Sequence, residues 1–441
     1  MGEAVETELR AWLAENLPAG WIEAVEGGDE EAFRALRSGL DDRAFLRTIG
    51  AAGWAQPGWA RAYGGRGLDA AGTAIVEEMK NRYRVPRSFN LLGFGLAAPT
   101  IMQWGSEEQK ELFLNGMAQG EFWCQLFSEP GNGSDVAGLS TRAVRDGEEW
   151  VVNGQKVWTS GAHLADRGML IARSDPDQPK HKGITYLVCD MHAAGVEVRP
   201  LRQITGDAEF NEVFLTDVRI PDSWRIGPEG GGWAVAQTTL MNERVALSGA
   251  FGAGRPTATT PRSGAPAATR RAATTPRSGA PASTRSEDQM AAAMVRLSPS
   301  ALLSGLSAEE PGAAVSRDRL ARLVIESRVA SYNGARSAAR RRAGQQPGPE
   351  GSVGKLFQTE FNQRLQNAGT DLLGASATAW ADDDPEIRPR VRSFLRSRGN
   401  TIEGGTSEIQ RNILGDRVLG LPREPDASRD APWKDVPRNQ V

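Results

Sequence analysis

The chain has 441 residues, a formal net charge of -3, 39% hydrophobic residues and 24% charged residues. A length of this order divides into two or three domains, and so mild a charge offers no field for nucleic acid or an anionic membrane surface. Two cysteines (Cys124, Cys189) exclude a disulfide framework, three histidines (His163, His181, His192) have no metal-ligand spacing, and no run of about 18 apolar residues is present to span a membrane.

The opening MGEAVETELRAWLAENL is acidic and amphipathic, unlike a secretory signal, so a cytoplasmic protein is expected. Leu9, Leu13 and Leu17 recur at helical spacing, and helices are predicted up to about residue 122. Within that region Ser106, followed by two acids, marks a helix start over 106–117. From 123 to about 225 the pattern turns β. EEWVVNGQKVW is predicted as two strands joined by a hairpin at Asn153 and Gly154, and 184–188, 196–201 and 213–220 are further strands. Short strands without intervening helices predict a small β-barrel or sandwich. Helical periodicity returns over 233–249, 317–342, 353–373 and 408–419. The expected domains are therefore 1–122 (all-helical), 123–225 (β) and 226–441 (helical bundle).

Residues 253–286 stand apart: they hold no acid, no aromatic and no Leu, Ile, Val or Met, and TTPRSGAPA at 259–267 recurs at 274–282. With nothing to bury, this insert is expected to be a disordered loop expansion.

Five features are candidates for chemistry, and each also has an ordinary structural explanation. GFGLAA at 93–98 imitates a dinucleotide fingerprint but has no preceding strand, so a helical packing face is expected there. In SEPGNGSD (128–135), Gly131 and Gly133 allow close backbone approach to a ligand, although a polar turn has the same composition. In WTSG (158–161), an indole and two hydroxyls at a strand end suit a flat aromatic ligand as well as a core. Glu243 shares a helical face with Trp233, Ala236, Leu240 and Leu247; a carboxylate there is either salt-bridged or a general base in a dry cleft. Near the end, NTIEGGTSEIQRNILGDRVLGLP joins a glycine loop to a helix capped by Thr406 or Ser407 and closed by Gly420 and Pro422.

Taken together, LFSEPGNGSDVAGL, VVNGQKVWTSGA, the NERVAL helix, IEGGTSEIQRNILGDRVLGLP and WGSEEQKELFL resemble the acyl-CoA dehydrogenase family, over about 40–250 and 325–422. The resemblance implies an N-terminal helical domain, a middle β-domain, a C-terminal bundle and an FAD cofactor in a homo- or hetero-oligomer. It implies that Gln125, Phe127, Ser128, Gly133, Ser134, Trp158, Thr159, Ser160, Thr406 and Ser407 contact FAD, and that Ser134, Arg244 and Gly404 meet the acyl-CoA. The family places its base either just before the Gly-Thr-Ser, here Gly404, or just before the helix arginine, here Glu243; Glu243 is therefore the expected base and Glu403 lies one residue off register. The implied reaction converts an acyl-CoA thioester to the 2,3-enoyl-CoA, and electrons pass to an electron-transfer flavoprotein. Asp371 and Ala375 depart from the family pattern, and the repeat tract replaces a helix that normally touches flavin. A same-fold flavin oxidase or monooxygenase, or a catalytically silent subunit of a hetero-oligomer, are the alternatives.

Overall fold

The computed structural model describes residues 2–88, 90–252, 297–307, 312–343, 345, 348–381, 384, 387–426 and 428–437. The repeat tract at 253–286 lies outside them. The described residues divide into two compact units: Met1–Leu201 with Phe210–Asn242 and Pro425–Val441, and Arg202–Glu209 with Glu243–Glu424.

The first unit opens with helices α1 (Gly2–Asn16), α2 (Trp21–Gly27), α3 (Glu30–Ser38), α4 (Asp42–Ala51), α5 (Ala70–Arg82), α6 (Ala98–Trp104) and α7 (Glu107–Ala118). Leu9 and Leu13, one turn apart on α1, are fully buried and pack with Trp21, Trp54 and Val76. Ser106 starts α7 as expected and forms a reciprocal capping box with Gln109. GFGLAA belongs to a π-helical turn, Gly93–Ala97, running into α6. A Cβ on Gly93 would meet the side chain of Asn90, whose Oδ1 accepts the N–H groups of Gly93 and Trp123 at 3.0 Å each.

The β portion is one seven-stranded sheet: β1 (Trp123–Leu126), β2 (Arg142–Asp146), β3 (Glu149–Ser160), β4 (Arg167–Arg173), β5 (Ile184–Asp190), β6 (Val196–Leu201) and β7 (Phe210–Pro221). The order is β1-β4-β2-β3-β7-β6, with β5 paired to β4. Its core holds Trp150 and Val152 of β3, Leu170 of β4, Leu187 of β5, and Val213 and Ile220 of β7. The expected hairpin at Asn153 and Gly154 does not occur, because both residues lie inside β3. The turn falls earlier, at Gly147 (φ +64°) between β2 and β3. Opposite Asn153, β7 carries an extra residue, since Val152 pairs with Val218 and Gly154 with Leu215. Asn153 fixes that bulge by exchanging hydrogen bonds with Asp217, which adopts φ +49°.

Helix α8 (Gly232–Gly252) follows. The second unit holds α9 (Pro299–Gly305), α10 (Ala313–Arg342), α11 (Gly351–Asp371), α12 (Ile387–Asn400) and α13 (Ser407–Ile413), the last continuing into a π-helical turn, Leu414–Val418. Leu320 and Leu323 of α10 pack on Phe361, Leu365 and Ala368 of α11.

Candidate active site

In the first unit, two loops are tied together at their bases. The Ser128 carbonyl accepts the Val157 N–H at 2.9 Å, which sets SEPGNGSD beside the end of β3. Behind this contact lies a buried ion pair. Lys156 Nζ donates to Glu129 Oε1 (2.9 Å) and to the Phe127 carbonyl (3.2 Å), and Glu129 also accepts the N–H groups of Ser140 (2.6 Å) and Thr141 (2.9 Å). Burial pushes the lysine pKa down; it also works against Glu129 ionisation, but Lys156 and these amide donors bring the carboxyl below its usual range. So complete a set of partners is what lets a full charge pair sit under the loop.

Beyond Lys156 the strand bulges. Lys156 pairs with Val213 and Thr159 with Asn211, so β3 has one residue more than β7 over this span. Trp158 is at the bulge, with φ +60°, and its indole is 57% exposed, edge-on to Phe210 at 5.9 Å. A bulge of this kind re-aims a side chain that would otherwise point into the sheet. Thr159 is buried with its Oγ1 unpartnered, and Ser160 is exposed. Gln125 is half-buried on β1, Phe127 is buried edge-on to Tyr186, and Gly133 and Ser134 are exposed in the loop.

In the second unit, Glu243 and Arg244 are half-buried on α8. Burial lowers the Arg244 guanidinium pKa, with Glu243 acting the other way. The loop after α12 turns through two left-handed glycines, Gly404 (φ +63°) and Gly405 (φ +88°), a conformation that glycine adopts without steric cost. Thr406 then caps α13, accepting the Ile409 N–H at 3.2 Å. Ser407 is buried with its Oγ unpartnered. Glu403 is engaged: Arg396 donates to it at 2.8 and 3.3 Å and Asn400 Nδ2 at 2.7 Å.

Two features lie outside the residues singled out from sequence. The Glu129–Lys156 pair was detectable, since Trp150, Val152 and Lys156 share the inward parity of β3. The other is Lys355, fully buried on α11 together with Thr359 and Gln366 at helical spacing. That polar stripe carries no apolar periodicity to reveal it.

Three stretches match, in order, the models of the acyl-CoA dehydrogenase N-terminal domain (residues 3–121), middle domain (124–218) and C-terminal domain (313–419). The chain belongs to the acyl-CoA dehydrogenase family. It is 35% identical over 429 residues to the acyl-CoA dehydrogenase IpdE1 of Mycobacterium tuberculosis, covering 96% of this chain and 98% of that protein. It is 38% identical over 369 residues to FadE34 of the same organism, covering 83% of this chain but only 44% of that longer protein. Among solved structures, the Tcur3481-Tcur3483 steroid acyl-CoA dehydrogenase superposes with a TM-score of 0.64 at 26% identity, over 96% of this chain and 98% of that one. The ChsE4-ChsE5 complex from Mycobacterium tuberculosis does so with a TM-score of 0.61 at 27% identity, over 96% and 98%.

The protein is thus an FAD-dependent oxidoreductase acting on acyl-CoA. Each unit offers groups of the kind a flat, hydrogen-bonding ring system uses: in the first, an exposed indole at a left-handed φ beside a buried Thr159 hydroxyl lacking a partner; in the second, a buried Ser407 hydroxyl lacking one. Among the described residues, no group of three or more His, Cys, Asp or Glu is placed to hold a metal, and no helix is long and apolar enough to cross a membrane.

Proposed function

We propose that this enzyme dehydrogenates a bulky acyl-CoA, of steroid size, between the α and β carbons to give the 2,3-enoyl-CoA. Glu243 is the base: its carboxylate takes the α-proton as the double bond forms. FAD, when bound, supplies the acceptor for the β-hydride. The Gly404 N–H donates to the thioester oxygen as it gains negative charge, and Arg244 and Ser134 orient the CoA thioester. Trp158, Thr159, Ser160, Thr406, Ser407, Gln125, Phe127, Ser128 and Gly133 hold the cofactor. The steroid-size substrate rests on the likeness to the Tcur3481-Tcur3483 steroid enzyme. The observation that carries the choice of base is the state of its rival. Glu403 is held in place by Arg396 and Asn400, which leaves its carboxylate little freedom to swing toward a substrate.

The enzyme works in an oligomer with a second acyl-CoA dehydrogenase chain, and an electron-transfer flavoprotein takes its electrons. The two-chain ChsE4-ChsE5 neighbour supports the first point, as does an exposed apolar stripe of Ile325, Val329 and Tyr332 on α10. Purification alone and with a co-expressed homologous chain, with mass measured by light scattering, checks the oligomer.

The base is tested by anaerobic bleaching of the flavin band with steroid-carboxylate-CoA and straight-chain acyl-CoA thioesters. Glu243→Gln should slow bleaching by about 10²–10⁴-fold, the usual worth of a general base, with acyl-CoA affinity retained. A large effect from Glu403→Gln and none from Glu243→Gln would reverse the assignment. No bleaching of wild-type protein by any thioester would favour a silent subunit.

A further inference from the structure

Lys355 is 1% exposed, and an ammonium taken from water must recover its hydration from the protein. Its hydrogen bonds go to main-chain carbonyls: Asn400, at the end of α12, at 3.2 Å, and Gly405 at 2.6 Å. Burial drives its pKa down, while the carboxylates of Glu403 and Glu243 act on it from longer range in the opposite sense. The two acceptors stand at either end of the turn 401–405, so one cation ties the start of that turn to its finish.

A second side chain completes the clamp. Gln410 Nε2, from α13, donates to the carbonyls of Gly404 (2.9 Å) and Gly405 (3.3 Å). Each peptide is planar, so holding the carbonyls of Gly404 and Gly405 fixes the planes that follow them. On the other side, Glu403 is anchored through its side chain to Arg396 and Asn400 and through its N–H to the Gly399 carbonyl (2.9 Å). Gly404 therefore sits between two pinned neighbours although its own left-handed conformation is soft. The carbonyls are consumed within the clamp, whereas no described backbone acceptor takes the Gly404 N–H.

We infer that Lys355 is a positioning residue for the dehydrogenation: it staples the turn so that the Gly404 N–H is preorganised for the thioester oxygen. This rests on the proposed role of Gly404. Preorganisation is the property that makes a donor effective toward developing charge, because no reorientation is needed during the reaction.

A merely structural lysine would affect every ligand alike, so the test uses a ligand pair that differs only in the atom concerned. Binding of a steroid-carboxylate-CoA thioester is compared with that of its S-alkyl-CoA thioether, which lacks the carbonyl oxygen, on FAD-loaded enzyme. Wild type should prefer the thioester. Lys355→Met keeps the length and removes the donors. It should erase most of that preference and lower kcat by about 10–100-fold, less than the full worth of one oxyanion donor. Thioether affinity and flavin content should stay within about twofold, an effect of a few tenths of a kcal/mol. Gln410→Met, which loosens the same turn from another helix, should act in the same direction. An unchanged preference in both variants, or thioester and thioether affinities falling together, would overturn the inference. Wild type that no thioester bleaches would instead count against the proposed reaction, since the ligand preference is measured by binding alone.

Discussion

Trp158 stores strain where the cofactor is expected. A left-handed φ costs an L-residue with a Cβ about 1–2 kcal/mol, and an indole 57% exposed recovers little of that by burial. Packing within the chain therefore gives little reason for this residue at this φ, whereas stacking on a flat ring does. Trp158→Gly relieves the strain while giving up the edge contact with Phe210 and adding unfolded-chain entropy. These terms nearly cancel, so the melting free energy of cofactor-free protein should change by less than about 1 kcal/mol. FAD affinity should fall by about two- to tenfold, since an aromatic contact is worth roughly 0.5–1.5 kcal/mol. Calorimetric unfolding beside a fluorescence titration with FAD measures both; a large stability loss with unchanged affinity would make Trp158 a packing residue instead. This residue was visible in the sequence as part of a motif. Its φ was not, because it comes from an extra residue in β3 relative to a partner strand some fifty positions away.

The same cause explains which elements the sequence exposed. Helix α7 carries its own start signal in the Ser106–Gln109 box, and the apolar runs of β5, β6 and β7 stand between turn residues, so local pattern sufficed. Helix α12 was missed because its buried face is Val391, Ser393, Ser397 and Asn400, set among arginines, which leaves almost no apolar period to detect. Asn153 and Gly154 carry the commonest hairpin signal yet serve inside a strand, for a reason that pairing alone makes clear. Asn153 ties the β7 bulge, and Gly154 admits the backbone of β2's entry: a Cβ there would come within 2.4 Å of Thr141 Oγ1 and 2.7 Å of Thr141 Cα. Thr141 also donates its N–H to Glu129, so the crowding would reach the buried ion pair. Gly154→Ala should cost about 2–3 kcal/mol, the upper range for overpacking a tight site. A shift in the urea midpoint without a change in m would show it, and a neutral substitution would mean that β2 and β3 do not approach so closely.

At the scale of the whole molecule, the chain ends by returning to the first unit, where Pro425–Val441 belongs. Sequence patterning gave no hint of this, since the segment has neither a helical nor a strand period; what holds it is a set of specific contacts. Trp433 donates its main-chain N–H to the Gln178 carbonyl (2.9 Å) and its indole N–H to the Gly138 carbonyl (3.2 Å), and Lys434 bonds the Pro176 carbonyl (3.1 Å) and Asp177 (2.6 Å). The Trp433 ring also covers the guanidinium of Arg173 at 4.8 Å, and Arg173, itself buried, donates to the carbonyls of Ala137 (2.6 Å) and Lys180 (2.8 Å). The tail thus closes over the residue that pins the end of the SEPGNGSD loop. Lys180 reaches the same loop from the other side, through Asp135 at 3.1 Å. Removing residues 425–441 exposes Arg173 to water and weakens its hold on Ala137, while the core of α10 and α11 lies in the other unit and does not depend on these contacts. The truncated chain should therefore fold, with amide exchange over 131–138 and 174–183 accelerated by about tenfold, equivalent to ~1.4 kcal/mol of local opening. Exchange in α10 and α11 should stay at the full-length rate. Because Gly133 and Ser134 ride on the loosened loop, FAD and acyl-CoA affinity should weaken by a few-fold, an expected cost of ordering a mobile loop on binding. Trp433→Ala in the full-length chain should reproduce most of the change in exchange. Exchange rates over 131–138 that match the full-length protein in both variants would show that the loop is ordered without the tail.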